Sequence, residues 1–388
     1  MQTRRGTLTL LVVSVSVSVW ACGGAATDPV VELVDQVMAP AIAPDAPDDQ
    51  DTCVGAVVAV LTPEHADVLG YGATVAGGAI RPDGDTLYQI GSVSKVYTGL
   101  ALARLVAQGQ LAADAPAVTY LGADLQPPLT GSQFSLAELI SHRAGFPTMP
   151  SNLVDRDLDG QRDPAIDPLS PAAGYTRADL RRYLDDFRPG APPGTAYVYS
   201  NVGIGLAALA LEDHLGIAGY HDVLRGLVTD DLGMTDTWGE VGRLDTAAVA
   251  RVAHGYALDG DGRVAGYPAQ MGALAGAGEI VTSADDLLLL LAATTGETST
   301  ALDAAIDLAI TPLAARADGG EVGFAVEVDN DAGGALYSKG GNTPSFSAYV
   351  RFRREPRQAV AVMTSCGNFQ RVKDLAIAID AGLLALPR

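Results

Sequence analysis

Unbroken apolar runs bounded by turn residues stand near both ends of the chain, and runs of helical period fill the middle. VGAVVAVL (54–61) and the run at 68–73 read as strands, with Pro63, Glu64 and His65 turning between them. Towards the C-terminus GFAVEV (323–328), ALYSKGG (335–341), FSAYVRFRR (346–354) and AVAVMTS (359–365) read the same way. Val96, Leu100, Ala103 and Val106 recur at helical spacing after Ser92, and Gly109 marks the end of that helix. RADLRRYLDDF (177–187), IGLAALALEDHLG (204–216) and VKDLAIAIDAGLLAL (372–386) are further helices. Strands at both ends with helices between predict a sheet built from the two chain ends and a mostly helical insertion.

Ahead of the first strand lie a short helix, VVELVDQVM (30–38), and a Pro- and Asp-rich connector over 39–52. The first residues are of another kind: Arg4 and Arg5, an apolar run from Leu8 to Trp20, then small residues around Cys22. That is the pattern of an export signal over 1–21, and the run is too short for a comfortable membrane span. VWAC resembles a lipobox, so the mature protein is expected to be exported, periplasmic and lipid-anchored through Cys22, with no other membrane contact; ordinary signal cleavage nearby is the alternative. A chain of 388 residues, 48% hydrophobic and 18% charged, is globular rather than disordered. Its net charge of −21 excludes a nucleic-acid partner, because phosphate backbones are bound by basic surface.

The chemistry begins with a rarity. The chain has three lysines, Lys95, Lys339 and Lys373, among 25 basic residues. A guanidinium stays protonated, whereas an ammonium loses its proton when burial or a second positive charge disfavours it, and then acts as a base. Ser92 lies three residues before Lys95, one helical turn away, and so forms a nucleophile and base pair at a helix start. Tyr199 and Asn201 in AYVYSNVGIGL are two apart and project to one side of an extended segment. A phenol there acts as a base if a cation lowers its pKa, and Asn201 can donate to a substrate carbonyl. In LYSKGGNTPSF, Lys339 precedes Gly340 and Gly341, and paired glycines in a strand mark close approach of a backbone or an extended ligand.

The ordered set Ser92-Val-Ser-Lys95, Tyr199-Ser-Asn201 and Lys339-Gly-Gly341 resembles the S-x-x-K, Y-x-N and K-[TS]-G motifs of the penicillin-recognising serine hydrolases. LISHRAGFP, LVTDDLGMTDTW and GAGEIVTSADDLLLLL resemble the class C β-lactamase and D-alanyl-D-alanine carboxypeptidase/endopeptidase branch, over about residues 50–388. The resemblance implies a β-lactamase-like α+β fold: an antiparallel sheet of five or more strands flanked by helices, with an inserted helical lobe. The domain would span 53–388, its α/β lobe 53–120 plus 270–388 and its helical lobe 121–269. It implies Ser92 as nucleophile, Lys95 as base, Tyr199 as proton relay, and Asn201, Lys339, Gly340 and Gly341 as substrate-binding residues. The backbone N–H groups of Ser92 and Asn342 would form the oxyanion hole. The implied substrates are peptidoglycan peptides or β-lactams, with no cofactor. A β-lactamase, an esterase and a non-turnover penicillin sensor are the alternatives. One departure stands out: Gly340 replaces the usual Thr or Ser, removing a hydroxyl that helps bind a substrate carboxylate.

Other signals are weaker. Cys53 opens one strand-like run and Cys366 closes another, so antiparallel pairing would bring them opposite as a disulfide; two buried free thiols are the alternative. Asp155, Asp157, Asp159 and Asp163 have calcium-loop spacing, but the twelfth position is Ile166 rather than Glu. Gly203, Gly205 and Ala208 match a dinucleotide pattern without its βαβ context, and close helix packing explains them better. The five histidines include no H-E-x-x-H pair, and no G-x-S-x-G elbow is present.

Overall fold

A computed structural model describes residues 28–46, 52–126, 133–259 and 262–387, excluding the side chains at 258, 259 and 262–264. The expected signal segment and Cys22 lie outside these residues. Eight strands make one antiparallel sheet: β1 (Gly55–Leu61), β2 (Ala66–Gly72), β3 (Ala314–Ala315), β4 (Glu321–Val322), β5 (Glu327–Asp331), β6 (Gly334–Asn342), β7 (Ser347–Arg353) and β8 (Gln358–Thr364). Their spatial order is β2-β1-β8-β7-β6-β5-β4-β3, so strands from the two chain ends meet at β1 and β8. Ala56 pairs with Thr364 and Leu61 with Ala359.

The unbroken apolar character of β1 follows from having both faces covered. Val57, Ala59 and Leu61 join the larger core, while Ala56, Val58 and Val60 join a second core on the opposite face. That second core is closed by α1 (Pro29–Met38), through Val30, Val34 and Met38, and by the C-terminal helix Phe369–Ala385. The helix read ahead of residue 53 is therefore built into the fold. Just beyond β1 and β8, Cys53 and Cys366 are joined in a disulfide with a Cα–Cα distance of 5.5 Å. A disulfide is typically worth about 2–4 kcal/mol of stability.

GFAVEV does not form one strand. Gly323 N donates to Val326 O at 2.9 Å, Ala325 has φ +60°, and β5 starts only at Glu327. The interruption turns Phe324 into the larger core, beside Gly99 of α2 (Ser94–Ala107). Tertiary burial of an aromatic ring outweighs continuous strand pairing here.

The inserted lobe contains the helices Arg177–Asp186 and α3 (Asn201–Leu215), which ends at Gly216 with φ +66°. Gly205 on α3 abuts Leu274, where an added Cβ would lie 3.1 Å from the Leu274 Cα, so the glycine pattern serves close packing as expected. The lobe also holds β structure: Thr237–Trp238 joins Leu87–Gln89 and Val281–Ser283 in a small sheet, and Gly255–Asp259 pairs with Gly262–Gly266 as a hairpin.

Candidate active site

Ser92 sits in a 3-10 turn, Gly91–Val93, immediately before α2 rather than inside its first α-helical turn. The turn still aligns the two side chains expected to meet. Lys95 Nζ donates to Ser92 Oγ at 2.8 Å, to Asn201 Oδ1 at 2.7 Å and to Ala277 O at 2.6 Å. Lys95 is fully buried and Ser92 half-buried. A buried ammonium with three acceptors has a fixed position and no freedom to swing into solvent.

Tyr199 approaches the same point from the other lobe. No strand forms there; the segment is held open by Val198 N donating to His142 O at 2.8 Å and Asn201 N donating to Thr148 O at 2.9 Å. Ser200 caps α3, its Oγ accepting from Gly203 N at 2.9 Å, so Asn201 is the first helical residue. The Nζ atoms of Lys95 and Lys339 stand 4.9 and 5.1 Å from the Tyr199 ring centre.

The electrostatics follow from these placements. Burial pushes the Tyr199 phenol up, but the charges of Lys95 and Lys339 and hydrogen bonds with Lys95 and Ser92 outweigh it and hold the phenol below its ordinary value. Burial lowers Lys95, the Tyr199 phenolate opposes that, and the Lys339 charge adds to it, with a net downward shift. Lys339 goes the other way. Burial disfavours its charge, yet Glu327 and Tyr199 raise it above the ordinary lysine range, and Nζ bonds Glu327 Oε1 at 3.0 Å. Lys339 is thus a permanent cation beside two groups that can exchange a proton.

The third motif reaches the nucleophile through backbone contact. An ideal Cβ on Gly341 would lie 2.8 Å from Ser92 N, and one on Gly91, where φ is +51°, would lie 2.7 Å from Asn342 N. Only glycine lets strand and turn approach this closely, which brings the N–H groups of Ser92 and Asn342 to one region. The Asn342 side chain is not aimed at the site: its Oδ1 accepts from Ser347 Oγ at 2.6 Å. β5 covers β6 only as far as Ser338, opposite Glu327, so Lys339 to Asn342 pair with β7 alone and leave an edge for an extended ligand.

Sequence reading assigned no role to two groups. Glu327, the lone acid in the run GFAVEV, is the counter-ion of Lys339; a charge inside an apolar strand was its signal. His142, within LISHRAGFP, is buried with φ +62° and packs on Tyr199 with ring centres 4.6 Å apart. Its Nδ1 accepts from Ser200 N at 3.1 Å, and Nε2 has no hydrogen-bond partner among the described residues. Lys373, on the C-terminal helix, is half-buried and contributes to the field at Glu327.

Asp155, Asp157 and Asp159 gather carboxylate oxygens within 4.8 Å of one another on the surface. Asp163 is not in that group; its Oδ2 accepts from Arg156 N at 2.9 Å. Asp155 is half-buried and Asp157 and Asp159 are exposed, and the fit to a calcium loop remains incomplete at Ile166.

A sheet and a helical lobe thus set a serine, two lysines and a tyrosine at their junction. The Beta-lactamase family profile matches residues 30–383, and the chain belongs to that family. It is 27% identical over 186 residues to the D-alanyl-D-alanine-carboxypeptidase/endopeptidase AmpH of Escherichia coli K12, covering 47% of this chain and 44% of that one. It is 28% identical over 190 residues to a β-lactamase of Pseudomonas fluorescens, covering 49% and 47%. The chain thus spans about half the length of the curated relatives it matches. Among solved structures, a class C β-lactamase superposes with a TM-score of 0.74 at 19% identity, over 92% of this chain and 97% of the other. The D-alanine carboxypeptidase AmpC of Burkholderia cenocepacia gives 0.72 at 23%, over 92% and 99%. At these identities the structural likeness shows the fold.

Proposed function

We propose that this chain is an acyl-enzyme-forming serine hydrolase that acts on D-alanyl peptides of peptidoglycan and is acylated by β-lactams. The observation that carries the reading is Lys95 Nζ held 2.8 Å from Ser92 Oγ, buried, beside a second lysine and a phenol whose pKa is lowered. Lys95, with Tyr199, accepts the Ser92 proton as Oγ bonds to the acyl carbon. The developing oxyanion is met by the N–H groups of Ser92 and Asn342. As the tetrahedral centre collapses, the bond to the leaving nitrogen or oxygen breaks and Tyr199 returns the proton to it. Water then attacks the ester carbon, gives its proton to Tyr199, and Ser92 leaves with a proton restored. Asn201, already hydrogen-bonded to Lys95, has its amide N–H free to turn from Met149 towards a substrate carbonyl.

Export and lipid attachment at Cys22 complete the reading. Arg4, Arg5 and the apolar run before Cys22 support them, as does a disulfide suited to an oxidising compartment. The test is intact-mass spectrometry of the mature protein with a penicillin over time, beside Ser92→Ala. A stable adduct that needs Ser92 is expected; a transient one would indicate β-lactamase turnover, and none would refute acylation by β-lactams.

A further inference from the structure

We infer that Met149 is an oxidation site: conversion of its thioether to the sulfoxide by a peroxide would hold Asn201 away from the acyl side of the substrate. The inference rests on the acyl-transfer reading above and adds a modification site to it.

The chain has six methionines, and five of them lie among the described residues. These five fall into two groups. Met38, Met234 and Met363 belong to the interior, at 0%, 3% and 1% exposure. Met149 and Met271 are half-buried, and both stand at the candidate site. Met271 lies against Gly278, where an added Cβ would be 3.8 Å from its Cε, and Gly278 follows the Ala277 carbonyl that accepts from Lys95. A peroxide reaches a thioether only where solvent does, so the two accessible sulfurs are the two beside the nucleophile.

Met149 also has a polar partner. Lys95 Nζ donates to Asn201 Oδ1 at 2.7 Å, which turns the amide's own donor, Nδ2, to Met149 Sδ at 3.2 Å. The loop carrying Met149 is tied to the same point. Asn201 N donates to Thr148 O at 2.9 Å, and Thr148 Oγ1 donates to Tyr199 O at 3.1 Å. A thioether sulfur is a weak acceptor. The carbonyl of an acyl-side amide therefore displaces it readily, and Asn201 Nδ2 turns to the substrate at little cost.

Oxidation reverses that balance. The sulfur lone pair attacks one oxygen of hydrogen peroxide, the O–O bond breaks, and the departing oxygen leaves as water after taking up the second proton. Sulfur is oxidised by two electrons to the sulfoxide and the peroxide is reduced by two. The new oxygen is a strong acceptor, carried by the atom that already faces Nδ2, and the backbone bonds at Thr148 keep it there. Asn201 is then held by Met149 instead of by substrate. Ser92, Lys95 and Tyr199 are unchanged, so acyl donors that make no use of Asn201 still react.

The test compares benzylpenicillin, whose acyl side carries an amide, with the bare aminopenicillanic acid nucleus, which lacks it. Acylation rates are measured before and after hydrogen peroxide in the mature wild type, Met149→Leu and Met271→Leu, each against its own untreated rate, with peptide mass mapping of residues 149 and 271. In wild type and Met271→Leu, sulfoxide at 149 is expected to slow benzylpenicillin about tenfold, the worth of one hydrogen bond, and to leave the bare nucleus within about twofold. Methionine sulfoxide reductase is expected to restore the rate. Met149→Leu, with no sulfur at that position, is expected to keep its rates through the treatment. A loss in Met149→Leu equal to that of wild type, an equal loss with both penicillins, or no sulfoxide at 149 would overturn the inference while acylation of Ser92 still stood. Should benzylpenicillin alone acylate the untreated protein, the Met149→Leu comparison decides. If neither penicillin does so, the acyl-transfer reading fails and takes this inference with it.

Discussion

Lys339 Nζ lies 3.0 Å from Glu327 Oε1, across the register that sets Glu327 opposite Ser338 on the neighbouring strand. The pair fixes one positive charge beneath Tyr199 whatever the state of Lys95. A lysine with so strong a counter-ion is a source of field, not of protons. Glu327→Gln keeps a hydrogen-bond acceptor but removes the charge. It is expected to destabilise the fold by about 1–3 kcal/mol. It should also move the alkaline limb of the kcat/KM profile to lower pH, since Lys339 then deprotonates sooner. Urea unfolding together with a pH–rate profile tests both; an unshifted limb would remove Lys339 from the control of Tyr199.

Lys95 tests the base. Lys95→Arg supplies a charge that does not leave and a fork too large for the three acceptors around Nζ. Acylation should fall by about 10²–10⁴-fold, with the circular dichroism spectrum unchanged. A variant acylated at the native rate would exclude Lys95 from that role.

His142 acts through its neighbour. Its Nδ1 holds Ser200 N, and its ring packs on Tyr199. His142→Ala should cost about ten- to a hundredfold in kcat/KM by letting the phenol wander. Asn tolerates the left-handed backbone and offers an acceptor, so His142→Asn should recover most of the loss. Equal damage from both variants would point to general destabilisation instead.

Glu279 contributes to the pH dependence of stability, alongside Glu212 and Asp286, whose carboxyls burial pushes up to about 7 and about 6. Burial pushes the Glu279 carboxyl up to about 7, against hydrogen bonds from Met271 N and Val241 N. A folded pKa above the unfolded value means that the native state binds the extra proton, so this contribution is full below about 4.5 and is lost as pH rises towards about 7. Within that window the slope from this group approaches about 1.4 kcal/mol per pH unit. Glu279→Gln, which keeps an acceptor, should flatten the curve of urea midpoint against pH between 5 and 7. A curve of wild-type slope would place the titration elsewhere.

Local signals carried much of this protein. The unbroken apolar runs 54–61 and 359–363 mark two central strands because both faces of the sheet are covered there. GFAVEV misled for a physical reason: a side chain with somewhere better to go, Phe324, broke the strand that its neighbours favour. Ser92 and Lys95 were legible because a helical turn is a local object, and the scarcity of lysine made the third motif visible as well.

Residue types and their spacing thus determined the Ser92–Lys95 pair, the paired glycines and the strands near both ends of the chain. Only the tertiary structure decided that Glu327 is the counter-ion of Lys339, that His142 packs on Tyr199 and that Phe369 fills the space over Gly340. Each of these joins residues distant in sequence or on different elements. Pattern reports what a segment prefers by itself, whereas a counter-ion, a supporting ring or an occupied volume exists only once strands and helices have packed.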